Sequence, residues 1–339
     1  MNNIVLVGCG GMAATWLEYA LKREDCRIVA CVDMYKSAAE KLIARFNLSC
    51  GAYDSLEKAI AENDANLVFD VTPPSSHFGV ITTALQMGCD VMGEKPLASS
   101  IEEAQEMIEI AQRTGRSFAV MQNYRYNAQV RAYRELIASG TIGKIGYVGA
   151  DFFLGPHFGG FRDAMESPLL LDMAIHTFDQ ARFISGADAV SVYCHEFNPA
   201  GSWYAGNASA ICIFEMSDGS VFCYRGSWCA EGAATSWDSS WRIAGERGSA
   251  IWRAPDMPYA DQVVQGPEQD AKWMKDTTRV EGDPSWPGQY GHNGCLDEMF
   301  AARAEGRPAE TDCRDNIKSL QMVFGAIESA RTGVKVSLV

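Results

Sequence analysis

A glycine-rich loop near the start of the chain has the residue types of a phosphate-binding turn. Gly8-Cys9-Gly10-Gly11-Met12-Ala13 follows the apolar run at residues 4–7 and precedes a helical pattern. In a G-x-G-x-x-A loop the first glycine permits a tight turn, the second lets a pyrophosphate approach, and a small third residue allows close packing at the helix N-terminus. The loop predicts a dinucleotide site, and a glycine-rich turn without a ligand is the alternative. The expected cofactor contacts are Gly8, Gly10, Gly11 and Met12.

Asp33 closes the second apolar run, where a carboxylate can accept hydrogen bonds from both ribose hydroxyls of a dinucleotide. No arginine occurs among Met34, Tyr35 and Lys36, so the 2′-phosphate of NADP would meet an unneutralised negative charge. NAD is therefore the expected cofactor. NADP is less favoured, although the positive charge of Lys36 could accommodate its 2′-phosphate.

Two adjacent prolines after Thr72 must take the chain out of the predicted sheet, because proline cannot continue a strand ladder. The exit lies at the carboxyl edge of the sheet, where dinucleotides bind. Thr72, Pro73 and His77 are therefore candidate cofactor contacts. For His77, a position in the first turn of the next helix is an equally good interpretation.

Glu94-Lys95-Pro96 follows the apolar run at residues 90–93, at the same edge of the predicted sheet. The positive charge of an oxidised nicotinamide favours the neutral form of a nearby lysine amine, which can accept a proton. The segment predicts Lys95 as a proton-transfer group that Glu94 orients, with both residues close to the cofactor. A solvated Lys–Glu pair in a loop is the plainer alternative.

Asp172 and His176 are one helical turn apart within a helical pattern at residues 169–184. A carboxylate at this spacing can hold an imidazole in one tautomer and stabilise its charged form. A buried structural Asp–His bond is one alternative, and a metal site that includes Asp179 is another. No metal is expected, because zinc needs at least three strong ligands and no H-E-x-x-H motif or cysteine cluster supplies them.

The elements that must position these groups change character near residue 122. In residues 1–122, short apolar runs alternate with helical patterns, which predicts a Rossmann-type, doubly wound parallel sheet that binds NAD. In residues 123–339, strand-like runs follow one another, and Asp218-Gly219 is a strong hairpin signal. This half is predicted as an α+β domain with a mostly antiparallel sheet. Residues 254–290, rich in proline, glycine and charge, are predicted to be irregular.

Composition excludes several classes of protein. Twenty-nine lysines and arginines against 43 aspartates and glutamates give a net charge of −14, which disfavours nucleic acid and anionic membrane surfaces as partners. No apolar run approaches the roughly 20 residues that span a bilayer. The first residues contain no basic leader, so a cytoplasmic location is expected. Eleven cysteines without a C-x-x-C pair are expected to be reduced thiols.

In this order, the motifs resemble those of the glucose–fructose oxidoreductase/inositol dehydrogenase/rhizopine catabolism (Gfo/Idh/MocA) family. The glycine loop, Asp33, the Thr72 segment, Glu94-Lys95-Pro96 and Asp172-x-x-x-His176 carry the resemblance, which extends over essentially the whole chain. It implies an open-faced sheet in the second domain that often forms the subunit interface, and hence a homo-oligomer, either dimer or tetramer. It also implies NAD(P)-dependent chemistry on a carbinol of a sugar or cyclitol. Lys95, Asp172 and His176 are the implied catalytic set, and Asn123 is implied to line the nicotinamide and substrate region.

The chain departs from the family pattern ahead of Asp172, where a glycine run is common and Met165-Glu166-Ser167-Pro168-Leu169 stands instead. His157 and Arg162 in the preceding stretch are candidate substrate contacts. Trp237 is the candidate for stacking on a pyranose ring, because the family usually has a pocket residue just ahead of the turn at residues 245–248. Lys95, Asn123, Asp172 and His176 complete the predicted substrate contacts.

These observations predict an NAD-dependent oxidoreductase that transfers a hydride between the nicotinamide and a carbinol or ketone of a sugar, a sugar derivative or a cyclitol. Whether Lys95 or His176 is the principal base is left open. An NAD-dependent glycosidase that works by transient oxidation and elimination, with bound NAD recycled, would need the same residues. A non-catalytic NAD-binding regulator is a lesser alternative, which the presence of Lys95, Asp172 and His176 together disfavours.

Overall fold

A computed structural model describes residues 1–338. These residues form two compact units. The first unit comprises Met1–Asn123 and Gly291–Leu320, and the second comprises Tyr124–Tyr290 and the chain from Gln321 onward.

The first unit contains a parallel sheet with helices between its strands. Its strands are β1 (Asn2–Val7), β2 (Cys26–Val32), β3 (Gly51–Tyr53), β4 (Leu67–Asp70), β5 (Asp90–Gly93) and β6 (Phe118–Val120). The helices are α1 (Ala13–Ala20), α2 (Lys36–Phe46), α3 (Leu56–Glu62), α4 (Pro74–Gln86) and α5 (Ile101–Thr114). The strand order is β3–β2–β1–β4–β5–β6. The predicted doubly wound sheet is confirmed. The sequence patterns do not predict β3, because this three-residue edge strand has no buried side chain.

The second unit begins with a short 3-10 turn at Asn123–Arg125, which straddles the division, and contains a mixed sheet. Its helices are α6 (Ala128–Ala138), α7 (Ile175–Ser185) and α8 (Pro267–Asp270). The strands are β7 (Ile145–Phe153), β8 (Ala189–Phe197), β9 (Ser209–Met216), β10 (Val221–Ser227), β11 (Ser240–Gly245), β12 (Gly248–Arg253), β13 (Tyr259–Val263), β14 (Thr277–Glu281) and β15 (Val336–Ser337). Their order is β14–β13–β12–β11–β7–β10–β9–β8–β15, in which β7 and β10 are parallel and the other neighbours antiparallel.

The mostly antiparallel second sheet is confirmed, and so is the hairpin between β9 and β10. Gly219 in that hairpin turn has φ +85°, which glycine adopts without strain. One face of the sheet is covered by α7, where the rings of Phe178 and Phe214 lie 4.9 Å apart. The alternate side chains Ile211 and Ile213 are exposed on the other face.

Residues 254–290 were predicted to be irregular, and this prediction is wrong in part. They contain β13, α8 and β14, and the β13–β14 hairpin extends the sheet beyond β12. These edge strands carry alternating polar residues and little apolar surface, so a search for apolar runs does not find them. The prolines and glycines that suggested a loop lie mainly between and after these elements.

The helix predicted at residues 169–184 is also not uniform. Leu169–Ala174 forms a π-helix, and the α-helical part, α7, starts only at Ile175. Hydrogen bonds in a π-helix run from residue i to i+5, and such turns are frequent at functional sites. The i, i+4 alignment expected for an α-helix therefore holds less strictly for Asp172 and His176.

The last helices are α9 (Gly291–Glu305) and α10 (Cys313–Thr332). The predicted domains, residues 1–122 and 123–339, differ from the two units chiefly at residues 291–320, which lie in the first unit. These residues belong to the first unit because α9 packs on α1. Tyr19 donates a hydrogen bond to Asp297 at 2.7 Å, and the Tyr19 and Phe300 rings are 5.9 Å apart. Arg303 also donates to Asp90, at 2.9 Å.

Within the described residues, no helix has the length and apolar character needed to cross a membrane. All eleven cysteines are free thiols.

Candidate active site

The glycine loop lies at the point where the strand order of the first sheet reverses, between β1 and β4. Dinucleotides bind at such a switch point, outside the carboxyl ends of the strands. Gly8 has φ +91°, and a Cβ there would lie 2.6 Å from the carbonyl oxygen of Val71. Only glycine therefore allows the segments after β1 and β4 to approach so closely.

The start of α1 fits a pyrophosphate. Met12 precedes the helix, and no side chain caps the helix N-terminus. A Cβ built on Gly10 or Gly11 would meet no atom within 4 Å, so the loop presents its backbone to open space. Uncapped N–H groups and the positive end of the helix dipole favour an anion at this position.

Asp33 ties the glycine loop to the end of β2. Its Oδ2 accepts a hydrogen bond from the Cys9 N–H at 2.9 Å, and its Oδ1 accepts one from the Tyr35 N–H at 2.9 Å. A carboxylate has about four acceptor positions. Asp33 thus keeps acceptor capacity for ribose hydroxyls, and its contact with the cofactor stays a prediction.

Replacement of Asp33 by Asn is expected to reduce the preference for NADH over NADPH by about 10-fold, since a hydrogen bond to a charged group contributes about 1.5–3 kcal/mol. The amide retains one acceptor for the loop but removes the negative charge that would repel a 2′-phosphate. Fluorescence titration of both nicotinamides measures the effect, with Asp54→Asn, an exposed aspartate beyond β3, as the control. Tighter binding of NADPH than of NADH by the wild type would contradict the prediction.

His77 is fully buried in the first turn of α4 and binds the last residue of β4. Its Nδ1 lies 2.7 Å from Asp70 Oδ2, and the Thr72 hydroxyl donates to Asp70 Oδ1 at 2.6 Å. These bonds anchor the first turn of α4, which begins at Pro74, to the strand end. They account for His77 as a structural residue, and the cofactor contacts of Thr72, Pro73 and His77 stay predictions.

Glu94 and Lys95 directly follow β5 at the carboxyl edge of the sheet. Glu94 Oε1 accepts a hydrogen bond from the indole Nε1 of Trp16 in α1 at 2.7 Å. His292, at the start of α9, places its Nε2 3.8 Å from the same oxygen. Glu94 is therefore held by Trp16 and lies beside His292, while its neighbour Lys95 lies at the edge of the sheet where a dinucleotide would bind.

His292 is a polar neighbour of this segment that the sequence analysis does not single out. Burial lowers its pKa, the Glu94 carboxylate opposes this shift, and the charge of Lys95 adds to it. No local signal marks His292, because its proximity to Glu94 arises only when residues 291–320 pack on the first unit.

Asp172 lies in the π-helical turn of the second unit and binds Arg162. The Arg162 Nε donates to Asp172 Oδ2 at 2.7 Å, and its Nη2 lies 3.5 Å from Oδ1. Arg162 thus binds the predicted catalytic carboxylate of Asp172. The contact of Arg162 with a substrate stays a prediction. The proposed orientation of His176 by Asp172 likewise stays a prediction.

His176 lies in the first turn of α7 and packs against Tyr124, with ring centroids 4.3 Å apart and a 30° tilt. Burial raises the pKa of Tyr124, and the nearby carboxylate charges of Asp238 and Asp172 add to the shift. A neutral phenol therefore lies on the imidazole. The sequence analysis selected Asn123, the first residue of the 3-10 turn, and missed the adjacent Tyr124.

Asp179, which the sequence offered as a possible metal ligand, forms a buried pair with Arg125. The Arg125 Nε and Nη2 donate to its two carboxylate oxygens at 2.6 and 2.7 Å. This bidentate pair joins the 3-10 turn to α7. Residues 1–338 contain no group of three or more His, Cys, Asp or Glu side chains that could hold a metal ion.

The remaining predicted substrate contacts lie among aromatic side chains. His157 stacks on Trp203 with 3.7 Å between centroids, and its Nε2 is 2.9 Å from Glu231 Oε1. Trp237 is half-exposed and meets the buried Trp228 edge-on, with 5.6 Å between centroids.

Two family profiles match the chain. Residues 2–122 match an oxidoreductase family described as having an NAD-binding Rossmann fold, and residues 130–251 match the GFO/IDH/MocA C-terminal domain. Together the two matches cover more than half of the chain. They confirm the predicted family resemblance and the NAD-binding character of the first domain.

The individual relatives share less than 30% sequence identity with this chain. The uncharacterized protein y4oX of Sinorhizobium fredii is 26% identical over 99% of this chain and 95% of its own length. The D-glucoside 3-dehydrogenase of Escherichia coli is 28% identical over a match that covers 59% of this chain and 58% of that enzyme. An oxidoreductase from Agrobacterium radiobacter, solved with NAD+, L-tartaric acid and magnesium, superposes with a TM-score of 0.85 at 20% identity, covering 99% and 98% of the chains. This last similarity shows the fold alone.

Proposed function

Because the chain belongs to the GFO/IDH/MocA oxidoreductase family, we propose that it transfers a hydride between NAD and a carbinol carbon of a sugar, a sugar derivative or a cyclitol. Lys95 carries this proposal, since it follows β5 directly at the edge of the sheet where a dinucleotide binds. A relative named D-glucoside 3-dehydrogenase supports a sugar as the substrate class.

NAD, when bound, supplies the hydride acceptor for oxidation and, once reduced, the donor for the reverse reaction. The residues proposed to hold it are the glycine loop with Met12 at the start of α1, Asp33, the Thr72–Pro73 segment, Glu94 and Asn123. Asp33 positions the loop through the Cys9 N–H and leaves acceptor positions for ribose.

The proposed acid–base groups are Lys95, Asp172 and His176. In oxidation, the Lys95 amine accepts the hydroxyl proton, and the His176 imidazole is the second group able to accept it. Tyr124 limits the freedom of the His176 ring by packing on it at 4.3 Å. Arg162 orients the Asp172 carboxyl group through a hydrogen bond at 2.7 Å.

Absorbance of NADH during incubation with free sugars, glycosides and cyclitols tests the proposed function. Substrate-dependent NADH formation is the expected result. Release of an aglycone without accumulation of NADH would point to the elimination mechanism of a glycosidase. Specific NAD binding without turnover of any compound in the panel would contradict the proposal and favour a regulator.

The exposed face of the second sheet is proposed to bind a second copy of the chain. Tyr193 of β8 and Ile213 of β9 are cross-strand partners on this face, and Ile211 lies two residues before Ile213. Clustered exposed apolar side chains are typical of surfaces that bind other proteins. A symmetric dimer uses the same patch on both subunits.

The double variant Ile211→Glu/Ile213→Glu is expected to be monomeric at micromolar concentration, because each interface would bury four unpaired carboxylates. Light scattering coupled to gel filtration measures the mass. Met274→Glu, at an exposed position after α8, is the matched control and should keep the wild-type mass. A wild type that is monomeric at all concentrations, or a double variant of unchanged mass, would rule out this interface.

A further inference from the structure

We propose that the substrate is a glycoside with a flat, apolar aglycone, and that Phe158, Phe161 and Trp237 bind this aglycone. The inference rests on the proposed function, because it names the part of the substrate that lies beyond the reacting sugar ring. It adds a binding site for an aromatic aglycone to a site that was expected to bind only the sugar ring and its hydroxyls.

The aromatic side chains are joined to the predicted catalytic carboxylate through Arg162. Arg162 donates to Asp172 at 2.7 Å, and its guanidinium carbon lies 5.1 Å from the Phe158 ring centroid and 4.8 Å from that of Phe161. Both distances are within the range of cation–π contacts. The two phenylalanine rings therefore lie one side chain away from Asp172.

Phe158, Phe161 and Trp237 form an aromatic strip. A buried tryptophan, Trp228, supports the part of this strip that lies beyond Arg162. Phe158 lies 5.8 Å from Trp228 and 6.4 Å from Trp237, and Trp237 meets Trp228 edge-on at 5.6 Å. Trp228 is only 1% exposed, whereas Trp237 is 44%, Phe158 52% and Phe161 65% exposed. The exposed rings thus rest on a packed ring and leave apolar area open to a ligand.

The chemistry of the strip suits a neutral aromatic group. Flat apolar faces gain from offset or edge-to-face contact with a second ring. The charge of Arg162 is balanced by Asp172, so the strip offers little attraction to the diphosphate of a nucleotide sugar or to an acidic sugar. A free cyclitol or a small sugar has no apolar group to cover the exposed Phe158 and Phe161 rings.

Calorimetric binding of phenyl and methyl β-D-glucopyranoside to the NADH-loaded protein tests the inference without requiring turnover. The phenyl glucoside is expected to bind at least about 10-fold more tightly, which corresponds to one favourable aromatic contact. In Phe158→Ala and in Phe161→Ala this ratio should fall to within about 3-fold of unity. Phe161 touches mainly Arg162 and is largely exposed, so its removal poses little risk to folding.

Trp273→Ala is the matched control, because Trp273 is a 97% exposed aromatic residue outside the strip, and it should keep the wild-type ratio. Equal affinity for both glucosides, a ratio that survives both phenylalanine variants, or tighter binding of UDP-glucose would each overturn the inference. Preferential phenyl glucoside binding that depends on Phe158, but without any NAD reduction, would support the aglycone site while contradicting the proposed dehydrogenase function.

Discussion

Lys95→Ala is expected to fold and to bind NADH within several-fold of the wild type, yet to lose ~10²–10⁴-fold in kcat. Lys95 follows β5 at the cofactor edge of the sheet, and the adjacent Glu94 is fixed by Trp16 at 2.7 Å. Loss of the amine removes a positioned proton acceptor but no element of the sheet. Steady-state NADH formation measures the rate, and nicotinamide fluorescence measures binding.

Lys95→Arg separates proton transfer from charge. A guanidinium keeps the positive charge but is not deprotonated in proteins, so it cannot act as the base. The Arg variant should therefore be nearly as slow as the Ala variant. Lys58→Ala, on the exposed side of α3, should retain full activity. A kcat within a few-fold of the wild type in Lys95→Ala would show that Lys95 is only a loop charge.

The second large effect is expected from Asp172 and His176 as a non-additive pair. His176→Asn should lower kcat/KM by ~10²-fold or more. Asp172→Asn should add little once His176 is absent, because a group that acts through another has no separate effect after its partner is removed. A double-mutant cycle in kcat/KM measures the coupling. Fully additive losses would contradict action as one unit.

Asp179→Asn provides the structural control from the same helix. Asp179 is buried and binds Arg125 through both carboxylate oxygens, so its loss leaves an unbalanced buried charge. Breaking such a pair costs about 3–5 kcal/mol of stability. The Asp179 variant should have a lower Tm but the wild-type kcat/KM per folded molecule. His176→Asn and Asp172→Asn should instead lower kcat/KM and leave Tm nearly unchanged.

The pH dependence of oxidation gives an independent check on His176. A base must be unprotonated to accept the hydroxyl proton, so kcat/KM for oxidation should fall as the pH is lowered. This acidic limb should disappear or move in His176→Asn. If it persists there unchanged, and the pair variants keep near wild-type kcat/KM, Lys95 alone would have to move the proton.

The sequence by itself determined five of the six strands of the first sheet, all except the edge strand β3, and the residues that follow them. Buried parallel strands need continuous apolar runs, and the chain leaves each run at the same edge, so Gly8, Asp33 and Lys95 could be placed from local pattern alone. The Asp218-Gly219 turn was equally local, because its conformational requirement lies within the turn itself.

Only the tertiary structure decided which polar side chains meet. Arg162 on Asp172, Trp16 and His292 around Glu94, and Tyr124 on His176 each join separate elements. Periodicity reports which face of an element is buried, but it carries no information about the partner that covers this face. For the same reason, the packing of residues 291–320 on the first unit and the polar edge strands β13 and β14 followed from three-dimensional contacts that the linear pattern does not encode.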